Sequence, residues 1–155
     1  MIAGMEAMMD RQSNKITALY CRMAHYHGDI DALTARNQME RLAAYAAEAG
    51  FQNPEFFCDW GFSGATAERP EYQRMLRATE AGKVSDLVAL NVSRLCRNLI
   101  AWHKLFDLAL RQFNVTLHII QEQSVFTPWD ARAEAAQLSE LFALFRQEWQ
   151  SRGWK

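Results

Sequence analysis

Ile16-Thr17-Ala18-Leu19-Tyr20-Cys21-Arg22-Met23-Ala24 is the stretch that decides the fold. Ile16 to Met23 is short and rich in apolar residues, and the polar, glycine-containing stretch His25 to Asp31 follows it; this is the pattern of a buried strand leading into a loop. Side chains alternate along a strand, so Arg22 and position 24 share one face while Cys21 and Met23 take the other. Ala35 to Ala49 then carries Met39, Leu42, Ala43, Ala46 and Ala49 at helical spacing, with Gly50 placed as the C-terminal cap. The predicted unit is strand, loop, helix.

The same unit recurs along the chain. Glu55 to Cys58 reads as a second strand and Asp59 to Arg69 as a Gly- and Ser-containing loop. Pro70 suits the first turn of a helix whose apolar face is Tyr72, Met75, Leu76 and Thr79, ended by Gly82. Asp86 to Val92 is a nearly continuous apolar run of strand length, and Ser93 is placed to cap a helix from Arg94 to about Gln112. Val115 to Ile120 supplies a further strand. Strands alternating with helices predict an α/β fold, a mainly parallel central sheet with helices on both faces. Residues 1–15 are expected to form a flexible extension, residues 16–128 one compact domain, and residues 129–155 a C-terminal helix and tail.

In that last segment Leu138, Leu141, Phe142, Phe145 and Trp149 fall on one helical stripe. The stripe either packs on the chain's own sheet or binds a partner, because a terminal helix ending in large aromatics has little domain left to cover them.

Composition narrows the function. The chain has 155 residues, half of them apolar, with 17 Lys plus Arg against 18 Asp plus Glu, as expected of a single globular domain able to bury its own core. A net charge of -1 argues against strong nonspecific DNA binding by the whole surface, which needs many cations to neutralise phosphates; any DNA contact must come from a local basic patch. Cys21, Cys58 and Cys96 form no metal-type pair and read as buried thiols of a reducing compartment. No apolar run approaches the ~20 residues that cross a bilayer, and the first ten residues lack the pattern of a signal peptide. The expected location is cytoplasmic.

The basic patch is legible as an arginine constellation on three segments: Arg22 at the end of the first strand, Arg69 in Glu68-Arg69-Pro70 after the Asp59-Trp60-Gly61-Phe62-Ser63-Gly64 loop, and Arg94 and Arg97 in Ser93-Arg94-Leu95-Cys96-Arg97-Asn98. Arginine offers a planar fork of donors and a permanent charge, which suits it to phosphate. The i, i+3 spacing of Arg94 and Arg97 predicts that both lie on one helical face near a helix N-terminus.

In order and spacing, these segments resemble the catalytic domain of serine site-specific DNA recombinases, the resolvase and invertase family, including its large-serine-recombinase branch. The resemblance covers roughly Ile16 to Pro128 and, more loosely, the final helix. It implies phosphodiester cleavage and rejoining through a phosphoserine link, without a metal or other cofactor. Matched residue by residue, it gives phosphate roles to Arg22, Arg69, Arg94 and Arg97, a supporting role to Gln38, and membership of the active-site loop to Asp59, Ser63 and Gly64, the last expected to supply a special backbone angle. Glu68 stands where many members have Asp, and Ser93 where small resolvases have Asp and some large relatives Ser.

The family's nucleophilic serine belongs at position 24, where this chain has Ala24. A methyl group cannot attack phosphorus, so the chain as printed is expected not to cleave. Cys21, on the opposite strand face, is no replacement, and His25 and His27 read as solvated loop side chains. Ala24 is compatible with an engineered change and with a natural pseudo-recombinase kept for binding or assembly. The resemblance further implies a homodimer or higher oligomer assembled through the final helix. No separate DNA-recognition domain is expected, so DNA should bind weakly unless a separate protein supplies targeting. The alternative function is a non-enzymatic dimerising regulator or scaffold.

Overall fold

The computed structural model describes residues 14–66 and 68–128 and, near the C-terminus, residues 139, 140, 142–144, 146, 147 and 150. The first strand, β1, runs Ile16–Met23 as its apolar run predicts, and all but Ile16 are buried. Helix α1 (Gly28–Ala49) begins seven residues before the predicted Ala35. The reason lies in its first turn: Asp29 and Asp31 place negative charge at the helix's positive end, and Asp31 Oδ2 accepts from the His27 N–H at 2.7 Å. Its buried stripe is Ala35, Gln38, Leu42 and Ala46; Ala43 and Ala49, read as apolar-face residues from sequence, are exposed. Gly50 ends it at φ 75° as the left-handed cap.

Strand β2 (Pro54–Trp60) and helix α2 (Pro70–Glu80) follow, then β3 (Val84–Ala89). The single helix predicted from Arg94 to Gln112 is broken. Helix α3 is only Val92–Leu95, and α4 (Leu99–Phe106) starts anew and runs into a π-helical turn, Asp107–Gln112. Ser93 is therefore not a cap; Asn91 precedes α3, and Asn98 caps α4 by accepting from Ala101 N–H at 2.8 Å. The break satisfies its own backbone: Trp102 Nε1 donates to Cys96 O at 3.0 Å, and Arg97 N–H to Gly64 O at 3.1 Å. Strand β4 (Thr116–Ile119) and a three-residue β5 (Ser124–Phe126), which the sequence reading did not identify, complete the order.

The sheet order is β2-β1-β3-β4-β5, parallel except for the β4–β5 hairpin. Alternation along the strands divides the core. Ala18, Tyr20, Phe57, Leu87 and Leu117 pack with α2, α3 and α4, while Leu19, Cys21 and Val88 pack under Leu42 and Ala46 of α1. The α/β sheet covered on both faces is thus the fold the sequence predicts. On the α1 side, His118 bridges Asp86 Oδ1 at 2.9 Å and Tyr45 Oη at 2.8 Å, clamping α1 to β3 and β4.

Cys21 and Cys96 are buried, but Cys58 is half-buried, since β2 is an edge strand. Of the predicted C-terminal stripe, Phe142 is 41 % exposed; Leu138, Leu141, Phe145 and Trp149 lie outside the described residues. Leu144, two residues after Phe142 in that helix but off the predicted stripe, packs into the larger core. No described helix is long and apolar enough to cross a membrane.

Because the Asn98 side chain caps the helix that restarts after the break, Asn98→Ala is expected to lower folding stability by about 1 kcal/mol. Urea unfolding with an unchanged slope would measure it.

Candidate phosphate site at the strand ends

β1 neighbours β2 on one side and β3 on the other, and the chain leaves all three at the same edge of the sheet. Open parallel sheets form their clefts outside the carboxyl ends of strands where the winding reverses. Arg22 lies near the end of β1 and Ala24 directly follows it, the Gly61–Arg69 loop leaves β2, and Asn91 to Asn98 leaves β3.

Arg22, at 3 % exposure, and Arg69, at 1 %, are buried guanidiniums. Their partners are mostly carbonyls. Arg22 donates from Nε to Arg94 O at 3.1 Å, from Nη1 to Phe62 O at 2.9 Å and from Nη2 to Ser93 O at 2.7 Å. Arg69 donates to Thr66 O at 2.9 Å, Arg94 O at 3.3 Å and Leu95 O at 2.6 Å, and through Nη1 to Tyr20 Oη at 2.9 Å. The carbonyls of Ser93, Arg94 and Leu95 are the ones a helix loses partners for when it stops, so the break at Cys96 makes them available. Arg94 O serves both guanidiniums at once.

Asp59 is 2 % exposed and acts at one remove. It accepts from Tyr20 Oη at 2.7 Å and from the N–H groups of Glu71 and Tyr72 at 3.0 and 2.9 Å, which caps α2 from outside the helix. Burial raises the Tyr20 pKa well above the phenol range, with Asp59 adding to it against Arg69; Tyr20 remains a neutral relay between Arg69 and Asp59. The Arg69 Cζ also lies 3.8 Å over the Tyr72 ring. Tyr20 is the site residue that sequence reasoning missed, although its position two before Arg22 puts it on the same strand face.

Gln38 reaches across from α1 to Arg22. The β1–β3 ladder ends at Tyr20↔Ala89, and two residues on, Gln38 Oε1 accepts from Arg22 N–H at 3.0 Å while its Nε2 donates to Arg22 O at 3.3 Å. The amide stands in for a peptide of the missing strand. Arg94 Nη1 donates to the same Arg22 O at 2.8 Å. Ser93 is 1 % exposed with Oγ donating to Asn91 Oδ1 at 2.7 Å, and Asn91 donates to Gln121 Oε1 at 3.0 Å. Ser63 is exposed, and its Oγ accepts from Ala65 N–H at 3.1 Å, a loop hydrogen bond. Glu68 is exposed.

Two expectations need correction. Arg94 and Arg97 do not share a helical face: Arg94 is in α3, whereas Arg97 lies in the extended break. They meet the site by different routes, and the four-residue α3 contributes its carbonyls rather than its N-terminus. Gly64 has no positive φ; that conformation belongs to Gly61, at 84°. A Cβ at Gly64 would lie 2.9 Å from Arg22 Cζ and Nη2 and 2.9 Å from Arg97 Cγ, so the requirement is close approach.

Burial, followed by the Arg69 and Arg94 charges, lowers the Arg22 pKa to about 10. Folding therefore works against the charged form of Arg22, and any bound anion recovers part of that cost. Of the five N–H groups of a guanidinium, Arg22 commits three and Arg69 four among the described residues. Arg94 and Arg97 are half-buried beside them. Ala24 is half-buried at the end of β1, where the preceding Met23 O accepts from Gly61 and Phe62 N–H at 2.8 and 3.2 Å. His25 and His27 are exposed. Among the described residues, no cluster of three His, Cys, Asp or Glu could hold a metal ion.

The sequence matches the family described as "Resolvase, N terminal domain" over residues 17–152. The chain belongs to the resolvase N-terminal domain family. Membership places it in DNA recombination. Solved structures share the fold: the N-terminal catalytic domain of TP901-1 integrase (TM-score 0.68, 22 % identity, 88 % of this chain and 99 % of that one); a resolvase family site-specific recombinase from Streptococcus pneumoniae (0.61, 20 %, 90 % and 93 %); and a serine recombinase from Sulfolobus solfataricus (0.57, 17 %, 90 % and 87 %). No curated protein matches the chain in sequence.

Sulfate is expected to raise the melting temperature of this resolvase-family domain by occupying the arginine site. Gly64→Ala should cut that rise by displacing Arg22, whereas Gly61→Ala, with nothing within 4 Å of its added Cβ, should lower stability through its backbone angle yet keep the sulfate response. Thermal melts over a sulfate series, with chloride at matched ionic strength, separate the two.

Proposed function

We propose that this chain is the catalytic domain of a serine-class DNA recombinase that binds the phosphodiester to be cut but lacks the oxygen that cuts it. The observation that carries the reading is the buried Arg22–Arg69 pair, held on the carbonyls of residues 93–95 beside Ala24 at the end of β1. Charge that develops on phosphoryl oxygens during displacement is stabilised by fixed, desolvated donors. Arg22 and Arg69 are fixed by their carbonyls and by Tyr20, and Arg94 and Arg97 stand beside them to complete the grip on the phosphate.

In the family reaction a serine hydroxyl at position 24 attacks phosphorus, forms the phosphoserine bond and releases the 3' hydroxyl; rejoining reverses the step. Ala24 offers no lone pair and no proton, so the chain holds the phosphate without forming the bond. Gln38 fixes the backbone of Arg22, two residues before that position, and so orients the strand end toward the phosphate. Asp59 and Ser93 are positioning residues: Asp59 acts through Tyr20 on Arg69, and the backbone carbonyl of Ser93 seats Arg22. A scaffold role for the uncleaving chain has one observation in its favour, the exposure of Phe142. A second copy meeting this helix would cover that ring, and Phe142→Asp should then lower the mass measured by sedimentation; a mass unaffected by the change would count against assembly through this face.

Restoring the nucleophile is the decisive experiment. Ala24→Ser, fused to a sequence-specific DNA-binding domain and given a suicide substrate, should form a covalent adduct with the 5' phosphate of the cleaved half-site, and the unaltered chain in the same fusion should form none. Adding Arg22→Gln should lower the adduct rate by about a hundredfold or more. A folded, DNA-bound serine form without adduct would overturn the recombinase reading.

A further inference from the structure

Outside the phosphate site, the group the mechanism leaves unused is a pair of thiols. Cys21 on β1 and Cys58 on β2 are direct partners in the parallel register, each one residue before the Arg22↔Asp59 pair. Both face α1, in the cluster built on Leu19, Leu42 and Val88. Neighbouring strands run about 4.8 Å apart, inside the Cα separation of about 4.4–6.8 Å that a disulfide spans. Cys21 is fully buried, whereas Cys58 is half-buried on the sheet's edge strand. Of the pair, Cys58 is thus the residue partly open at the sheet edge, and Cys21 the one enclosed in the core.

We propose that Cys21 and Cys58 are a peroxide-oxidisable dithiol, with Cys58 the attacking and Cys21 the resolving sulfur. The Cys58 thiolate takes the terminal oxygen of a hydroperoxide to give a sulfenic acid and releases water or the alcohol. The Cys21 sulfur then attacks Cys58 Sγ, the Cys21 proton leaves with the hydroxyl as a second water, and the S–S bond forms. Two thiols lose two electrons and the peroxide gains them. Position assigns the roles: Cys58 is half-buried on the edge strand and Cys21 is fully buried, where the neighbouring Cys58 thiol and burial push its pKa up. Cys96 is the internal control, 1 % exposed on the other side of the sheet, with its sulfur 3.3 Å from Tyr72 Oη. The resulting link joins the two strands directly beneath Arg22 and Asp59.

The test treats the native full chain with hydrogen peroxide, blocks remaining thiols under denaturing conditions and maps the peptides by mass. The expected product is a Cys21–Cys58 linked peptide, two hydrogens lighter than the reduced pair, with Cys96 still a thiol. In Cys21→Ser, Cys58 should stop at the sulfenic acid and be trapped by dimedone; in Cys58→Ser, Cys21 should stay reduced. The inference is overturned by Cys58 passing to sulfinic acid while Cys21 remains a thiol, by a link that includes Cys96, or by no reaction at either sulfur. None of these outcomes depends on DNA cleavage, so the dithiol and the recombinase reading stand or fall separately.

Discussion

Two buried guanidiniums seated on the carbonyls of a broken helix hold the functional end of this molecule together. Arg22 comes from β1, Arg69 from the loop before α2, and the carbonyls of Ser93, Arg94 and Arg94's neighbour Leu95 from the turn after β3. A continuous helix from Arg94 onward would have spent those oxygens on its own N–H groups. Stopping at Cys96 turns them outward, and charge-assisted hydrogen bonds to arginine then tie three strand ends to one another. The remaining oddities of the region follow: Gly64 must lack a side chain because Arg22 passes within 2.9 Å of where one would start, and Trp102 must supply its indole N–H because Cys96 O has no helical partner.

Such a seat is not chosen for stability. Two cations taken from water with carbonyls as their main partners recover less than they would from a carboxylate in contact, and their mutual repulsion remains. The one buried carboxylate among the described residues, Asp59, is spent on Tyr20 and on the first turn of α2, reaching Arg69 through a phenol. Burial, followed by the charges of Arg69 and Arg94, accordingly depresses the Arg22 pKa. Burial and crowding of like charge thus meet at the ends of β1 and β3, where Arg22, Arg69 and Arg94 share the carbonyl oxygens of the broken helix and of Arg22 itself.

What the sequence made legible divides along the same line. The strand spanning residues 16–23, the Gly50 cap, the Pro70 start and the α/β order are local patterns of apolar runs and punctuation, and the structure follows them. The helix after β3 was misread because nothing in the run from Arg94 to Gln112 contains a proline or glycine; its break is imposed by partners distant in sequence, Gly64 O and the two arginines. The start of α1 was placed late because Gly28 outweighed the two acids that follow it. The arginine set was recognised through its resemblance to a family, whereas the relay from Asp59 through Tyr20 required the strands to be side by side: Arg22↔Asp59 and Tyr20↔Phe57 are neighbours only in the folded sheet.

The separation between scaffold and nucleophile follows from these contacts. Among the described hydrogen bonds that position Arg22, Arg69, Gln38, Asp59 and Ser93, none uses the side chain of residue 24. A serine there would add one hydroxyl to a frame that already stands without it. The frame around Arg22 and Arg69 is maintained by carbonyls, an amide and a phenol, none of them supplied by residue 24.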